Sequence, residues 1–254
     1  MKNLSGKRVL VCGGASGIGA ATALRLGAEG ARVGIGDMNL EGAQAVAEQI
    51  RALGGTADAW QYDQADDASI ASLVDSAIAH FDGLDALFAN VADLQIIHSD
   101  GDLLSNDSAI WARTLQVNVT GTAMLLRAAL PHMLERGSGT LVLTSSDAGV
   151  VGEPERPAYA ASKAAVNSLC RHVASKWGRK GIRCNVVSPG FVLTEQLDAN
   201  MSQEMKDWAL KGARTNRHGR SEDIASAVAF LISDEGEWVN GQVWRVNGGV
   251  SFAN

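Results

Sequence analysis

A chain of 254 residues is ordinary for one α/β unit and long enough to bury a substantial core. With 22 basic against 28 acidic side chains and a net charge of -6, it lacks the positive surplus of a nucleic-acid binder. The N-terminus shows no apolar leader and no later run approaches the roughly 20 apolar residues of a membrane span, so neither nucleic acid nor membrane is an expected partner and a cytoplasmic location is expected.

Lys7 to Cys12 reads as a first strand, which stops at Gly13-Gly14-Ala15-Ser16-Gly17-Ile18-Gly19 before an Ala-rich helical pattern from Ala20 to Glu29. Glycines permit a tight turn and let backbone N–H groups approach a pyrophosphate, whose charge the helix N-terminus also favours. Gly13, Ser16, Gly17, Ile18 and Gly19 are therefore candidate cofactor contacts, although a plain strand-to-helix turn shares the pattern. The next strand, Ala31 to Gly36, ends in Asp37, where a dinucleotide site needs a carboxylate for the adenosine ribose hydroxyls. Asp37 would repel a 2'-phosphate, and Met38, Asn39 and the glycine turn offer no cation, so NAD rather than NADP is expected. The competing reading of Asp37 is a cap for the following helix.

The alternation continues with a helix near Leu40 to Leu53, a strand Thr56 to Tyr62, a helix Asp66 to Phe81 and a strand Leu84 to Asn90. This predicts an α/β, doubly wound Rossmann-type fold, mainly a parallel seven-stranded sheet with helices on both faces and right-handed crossovers. Ligands of such sheets sit at the C-terminal strand ends. Asp63 and Gln64 are accordingly candidates to meet adenine, and Asn90 to meet the cofactor's ribose; Asp63 reads nearly as well as an Asx turn.

Asp93 to Asn106 is loop-like, and His98 within it has no partner at a catalytic or metal spacing. Ser105 and Asp107 are candidate N-caps for a long helix from about Ser108 to Glu135. That helix carries Asn118 in its middle, where an Asn either faces solvent or bends the backbone; the small residues V-T-G-T after it favour a functional reading. Thr140 to Thr144 is a buried strand delivering Ser145, Ser146 and Asp147 beside a helical segment, Ala158 to Trp177. There Tyr159 and Lys163 stand four apart on one face. A neighbouring ammonium favours phenolate and pulls the phenol pKa down, which makes a proton donor and acceptor usable near neutral pH. Alone, the pair is common on amphipathic helices.

Arg183 to Val187 forms a further strand ending in Ser188-Pro189-Gly190. Phe191 to Gly219 departs from the alternation; Met201, Met205, Trp208 and Leu210 suggest a short amphipathic helix and a flap over a pocket. Ser221-Glu222-Asp223 begins a capped helix through Ile232, and Gln242 to Val246 closes the sheet before Asn247-Gly248-Gly249. No repeat or linker divides the chain, so residues 1–254 are expected to form one domain. Cys12, Cys170 and Cys184 lack any C-x-x-C spacing, which fits buried thiols better than disulfides or zinc, and no metal site is expected.

With these residues placed, the sequence resembles the classical short-chain dehydrogenases/reductases over essentially its whole length. The resemblance rests on G-x-x-x-G-x-G at Gly13 to Gly19, Asp63, the Asn90 segment, V-N-V-T-G around Asn118, Ser146, Y-x-x-x-K, S-P-G and the terminal N-G-G. Cys12 stands where the family usually has Thr and Ala89-Asn90-Val91-Ala92 where it has N-N-A-G, so a looser contact between those loops is expected. The resemblance implies that Tyr159 exchanges a proton with the substrate oxygen, that Ser146 steadies that oxygen, and that Lys163 lowers the Tyr159 pKa and holds the nicotinamide ribose. It also implies that Asn118 positions a water linking Lys163 to solvent and that Val192 and Thr194 meet the nicotinamide carboxamide. A homotetramer is the implied assembly.

The expected activity is that of an NAD-dependent alcohol dehydrogenase or ketoreductase interconverting a secondary alcohol and its ketone. A non-catalytic NAD-sensing protein on the same fold needs neither Tyr159 nor Lys163, and dehalogenase-like or epimerase-like reuse fits the retained Lys163 and glycine turn less well. Ile96, Ile97, Val150, Val151, Val192, Met201, Met205 and Trp208 predict a roomy apolar pocket for a bulky hydrophobic or cyclic substrate. Asp93, Asp147 and Glu153 flank it, which keeps a polyol or sugar substrate open.

Overall fold

The computed structural model describes residues 1–252. Seven parallel strands form one sheet in the order β3-β2-β1-β4-β5-β6-β7. In chain order they are β1 (Arg8–Cys12), β2 (Arg32–Asp37), β3 (Thr56–Gln61), β4 (Ala86–Ala89), β5 (Gly139–Thr144), β6 (Ile182–Pro189) and β7 (Val243–Val246). The strands are apolar on both faces because both are covered. Val9 and Val11 of β1 pack with α1 (Gly17–Ala28), α2 (Leu40–Ala52) and a late helix, Ser221–Ile232. Leu10 and Cys12, one residue out of phase, pack with α3 (Asp67–Phe81) and with the helices Thr122–Glu135 and Pro157–Trp177. The strand order reverses between β1 and β4, which both pair with their neighbours in parallel, and a crevice opens there at the C-terminal strand ends.

Three elements differ from the sequence reading. The long helix after Asp107 is broken into α4 (Ser108–Leu115), a single π-helical turn (Gln116–Gly121) and α5 (Thr122–Glu135). The widened turn has a tertiary cause. Asn118 is buried and spends its amide outside the helix, while Gly121 lies so close to Gln64 that a Cβ there would stand 2.2 Å from the Gln64 carbonyl oxygen. The helix bearing Tyr159 is α6 (Pro157–Trp177). The segment 191–219 contains two short helices in place of one, α7 (Glu195–Asn200) and α8 (Gln203–Gly212), capped by Thr194 and Ser202, and neither has a buried side chain. In α9 (Ser221–Ile232) the cap is Arg220, not Ser221; the Asp223 carboxylate accepts its N–H and also takes the Arg217 guanidinium.

Cys12, Cys170 and Cys184 are buried free thiols. No helix among the described residues is long and apolar enough to cross a membrane.

Candidate active site

Helix α1 starts inside the glycine turn, three residues earlier than its apolar pattern suggests. Its first backbone bond runs from Ala20 N–H to the Ser16 carbonyl, which leaves the amides of Gly17, Ile18 and Gly19 ahead of the hydrogen-bond ladder. The glycines are there for space and angle. Gly13 and Gly17 have φ of 78° and 53°, and a Cβ on Gly19 would lie 1.8 Å from the Gly13 carbonyl oxygen. Asp37 closes the rim of this cradle. Its Oδ2 accepts the Ala15 N–H (3.0 Å) and its Oδ1 the Asn39 N–H (3.0 Å), whereas the cap of α2 is Asn39. The donor set therefore suits a dinucleotide: free amides at a helix start for phosphate and a carboxylate at the end of β2 for ribose hydroxyls.

From the glycine turn a chain of hydrogen bonds crosses the sheet. Asn90 Nδ2 donates to the Gly13 carbonyl (3.2 Å), Thr144 Oγ1 donates to Asn90 Oδ1 (3.0 Å), and Lys163 Nζ donates to the Thr144 carbonyl (2.9 Å). The loop contact expected to loosen around Cys12 is instead made by Asn90 and by backbone, through Asn90 N–H to the Cys12 carbonyl at 3.0 Å. The Cys12 thiol lies wholly inside the core, and burial pushes its pKa far up.

Tyr159 and Lys163 share one face of α6, with Nζ 5.6 Å from the Tyr159 ring centre. Ser146, at the end of β5, stands near enough to the phenol to oppose the rise of its pKa, and its Oγ accepts the Ala148 N–H at 3.2 Å. Asn118 closes the group from the π turn. Its Oδ1 accepts the Asp93 N–H (3.0 Å), its Nδ2 donates to Ser162 Oγ (3.0 Å), and Ser162 Oγ donates in turn to the Tyr159 carbonyl (2.7 Å). The electrostatics depart from the sequence expectation. Burial raises the Tyr159 pKa above its usual value; the Ser146 hydroxyl and the nearby Arg156 charge oppose this, and Glu153 adds to it. Lys163 is only 2% exposed, and burial lowers it to about 8. Loss of hydration is the leading cause of both shifts.

The remaining candidates fall into two sets. Thr194 meets the glycine turn, since a Cβ on Gly17 would touch its methyl at 3.4 Å, and Val192 is buried beside it, bridged to Gly219. Asp63 lies next to Asp37, because Tyr62 N–H donates to the Asp37 carbonyl, but its Oδ1 closes an Asx turn with Ala65 N–H at 2.8 Å. The Gln64 side chain serves the scaffold. It is buried, bonds the Tyr62 hydroxyl and donates to the Val117 carbonyl (2.9 Å) and Thr122 Oγ1 (3.2 Å), which leaves its backbone N–H as the group for adenine. Of the three flanking acids, Asp93 is spent on the Gln95 and Ile96 N–H groups and on Arg113, and Glu153 on Arg156. Of the three, only Asp147 has a buried oxygen without a partner among the described residues: Oδ2 accepts from Asn247 Nδ2 (2.7 Å) and Ser251 Oγ (3.0 Å), while Oδ1 accepts nothing.

Sequence reading missed Thr144, Ser162 and Asp100, all of which bond to the Tyr159–Lys163 pair through backbone. The S-K dipeptide and the strand end offered a weak signal for the first two; Asp100, 59 residues before Tyr159, offered none.

A family model described as enoyl-(acyl carrier protein) reductase matches residues 13–251. The cis-4-hydroxycyclohexanecarboxylate dehydrogenase of Sinomonas cyclohexanicum is 40% identical over 240 residues, which cover 94% of this chain and 94% of that protein. A solved 7 alpha-hydroxysteroid dehydrogenase complexed with NADH and 7-oxo glycochenodeoxycholic acid superposes with a TM-score of 0.90 at 31% identity, covering 97% of this chain and 94% of that one. A short chain dehydrogenase from Burkholderia cenocepacia in complex with NADP superposes with a TM-score of 0.88 at 35% identity, covering 98% and 99%.

Proposed function

The chain belongs to the short-chain dehydrogenase/reductase family and is an oxidoreductase of alcohol and carbonyl carbons; from that premise we propose that it uses NAD to interconvert a secondary alcohol and its ketone. The observation that carries this reading is the buried Lys163, anchored on the Thr144 carbonyl and set 5.6 Å from the Tyr159 ring, with Ser146 beside the phenol. With the diphosphate of a dinucleotide in the glycine cradle, its nicotinamide would supply the carbon that takes or gives the hydride. Tyr159 Oη takes the alcohol proton or returns it to the carbonyl, and Ser146 Oγ holds the same oxygen in place. The partly deprotonated Lys163 amine is suited to pass that proton onward, and Asn118, tied to Tyr159 through Ser162, keeps this wall of the site fixed. Gly13, Ser16, Gly17, Ile18 and Gly19 take the diphosphate, Asn90 the ribose side, and Val192 and Thr194 the carboxamide.

NAD over NADP is supported by Asp37, whose carboxylate is held facing the cradle, and by its neighbours: Asn39 is consumed as a cap and Met38 carries no charge. We read residues 1–254 as one cofactor-binding domain with 191–219 as its flap. The flap presents Leu197, Met205 and Trp208 to solvent, Trp208 with 77% of its surface exposed, and Leu94, Val150 and Val151 are exposed as well. Such apolar surface supports closure over a bulky or cyclic substrate, the chemistry named for the cyclohexanecarboxylate and steroid enzymes above. A second reading, a hydroxylated substrate of polyol type, is favoured by the unpaired Asp147 oxygen on the residue following Ser146.

The test is Tyr159→Phe with a panel of cyclic and open-chain alcohols, NAD and NADP being run side by side. Turnover is expected to fall by about 10²–10⁴-fold with NADH binding unchanged. Wild-type turnover in the variant would overturn the acid/base role, and equal rates with NADP would overturn the role of Asp37.

A further inference from the structure

Helix α6 begins without a cap of its own. Arg156, at the N-cap position, has left-handed backbone angles (φ 61°, ψ 49°) and makes no side-chain capping bond, and Pro157 has no N–H. The first donors of the helix are the amides of the buried Ala158 and the half-buried Tyr159, and an amide left unpaired away from water is costly. Asp100 supplies what is missing from the far side of the cleft. It is 3% exposed and makes no ion pair among the described residues; Oδ2 accepts the Tyr159 N–H at 2.7 Å and Oδ1 the Ala158 N–H at 3.3 Å. Asn106 Nδ2 holds the same carboxylate from its own loop, and Arg156 N–H donates to the Gly101 carbonyl at 3.0 Å. The left-handed turn and the two amides after it are thus clamped by one loop. A buried carboxylate at a helix N-terminus is also favoured by the aligned peptide dipoles.

We propose that Asp100 is a positioning residue. By fixing the backbone of Tyr159 in the first turn of α6, it holds the phenol in register with Ser146, and it makes the β4–α4 loop and the reacting hydroxyl one mechanical unit. This rests on the acid/base role proposed for Tyr159. A displaced first turn moves the phenol relative to Ser146 and leaves the dinucleotide cradle, built on other elements, untouched. The signature is therefore a loss in kcat with little change in the KM for NAD.

The experiment compares Asp100→Ala, Asp100→Asn and, as a control in the same loop, Asp102→Ala, in the full chain with NAD and the best alcohol of the panel. Asp102 is exposed and accepts only from the Leu104 and Ser105 amides and the Ser105 hydroxyl, within its own loop. Asp100→Ala is expected to lower kcat by about tenfold, with the KM for NAD changed less than about threefold. Asp100→Asn keeps an acceptor for Tyr159 N–H, and the buried Oδ1 of Asn106, unpartnered among the described residues, can receive the new amide donor after a flip; only the longer Ala158 bond is lost, so this variant should restore kcat to within about threefold. Should Asp100→Ala not fold, Asp100→Glu, which pushes the carboxylate out of reach by one methylene, is read in the same way. If Asp100 acts through Tyr159, then Asp100→Ala adds nothing to the residual rate of Tyr159→Phe. A wild-type kcat in Asp100→Ala, a loss matched by Asp102→Ala, or additive losses in the double variant would each overturn the proposal. Failure of the underlying functional reading looks different, because Tyr159→Phe alone would then keep wild-type turnover.

Discussion

Replacing Lys163 with Met should make the apo-protein more stable at neutral pH while abolishing its dehydrogenase activity. The side chain is 2% exposed, and burial lowers its pKa from 10.5 to about 8, a lowering of about 2.5 pH units. At about 1.4 kcal/mol per unit, the charged form is penalised in the folded state by about 3 kcal/mol. The sign follows from proton counting. Between pH 8 and about 10.4 the unfolded lysine still holds its proton while the folded one has lost it, so wild-type stability rises with pH across that window. The contribution is complete above the window and lost as pH falls to 8 and below. Methionine carries no charge to bury, and it forfeits only the Nζ bond to the Thr144 carbonyl, worth about 1 kcal/mol. Lys163→Met should therefore exceed the wild type by about 2 kcal/mol at pH 7. Urea unfolding without cofactor at pH 7.0 and 9.5 checks this: the difference between the proteins should move by about 2 kcal/mol towards the wild type, other titrations being common to both. Parallel stability–pH profiles for the two proteins would refute the reasoning.

Two other outcomes follow from the geometry. Because burial holds the Tyr159 phenol above its usual pKa, its base form grows with pH, and kcat/KM for alcohol oxidation should rise by about tenfold per unit through the alkaline range while ketone reduction stays level and then falls. An oxidation profile flat from pH 6 to 9 in the pH-dependent rates would contradict this. Gly19→Ala places a Cβ 1.8 Å from the Gly13 carbonyl oxygen and should weaken NADH binding, followed by fluorescence titration, by about a hundredfold or more. Gly212→Ala, where no atom lies within 4 Å of the added carbon, should leave both binding and stability near wild type.

The hydrogen bonds around Tyr159 and Lys163 explain why a site of a few polar groups tolerates so much burial. Asn90, Ser162 and Asp100 each spend a side-chain bond on a backbone group and Thr144 spends its hydroxyl on the Asn90 side chain, so the charged and hydroxylated residues are held by neighbours that are themselves held. A carbonyl accepts the Lys163 ammonium where a carboxylate would fix its charge, which leaves its pKa free to fall with burial.

Periodicity and glycine chemistry determined the sheet. Each strand and most helices lie within a few residues of where alternating apolar residues and turn signals put them, because both are local properties of the chain. The pairing of Ser146 with Tyr159, the adjacency of Asp37 to the glycine turn and the order of motifs were legible for the same reason: parallel crossovers bring all C-terminal strand ends to one edge. Contacts without a sequence period were not legible. The π turn at Asn118 exists because Gln64 and Ser162 approach it from other elements, and the split of the 191–219 segment into α7 and α8 follows from two local caps that compete with one amphipathic helix. That the Gln64 side-chain amide is spent on the Val117 carbonyl and Thr122, leaving only backbone for a ligand, was likewise a matter of packing. The direction of the Tyr159 pKa depended on how much water the fold removes, which spacing cannot reveal, and the cap of α6 came from Asp100 across the cleft. Local chemistry names the residues of this site; three-dimensional packing decides their charge, their partners and which of them remain free to act.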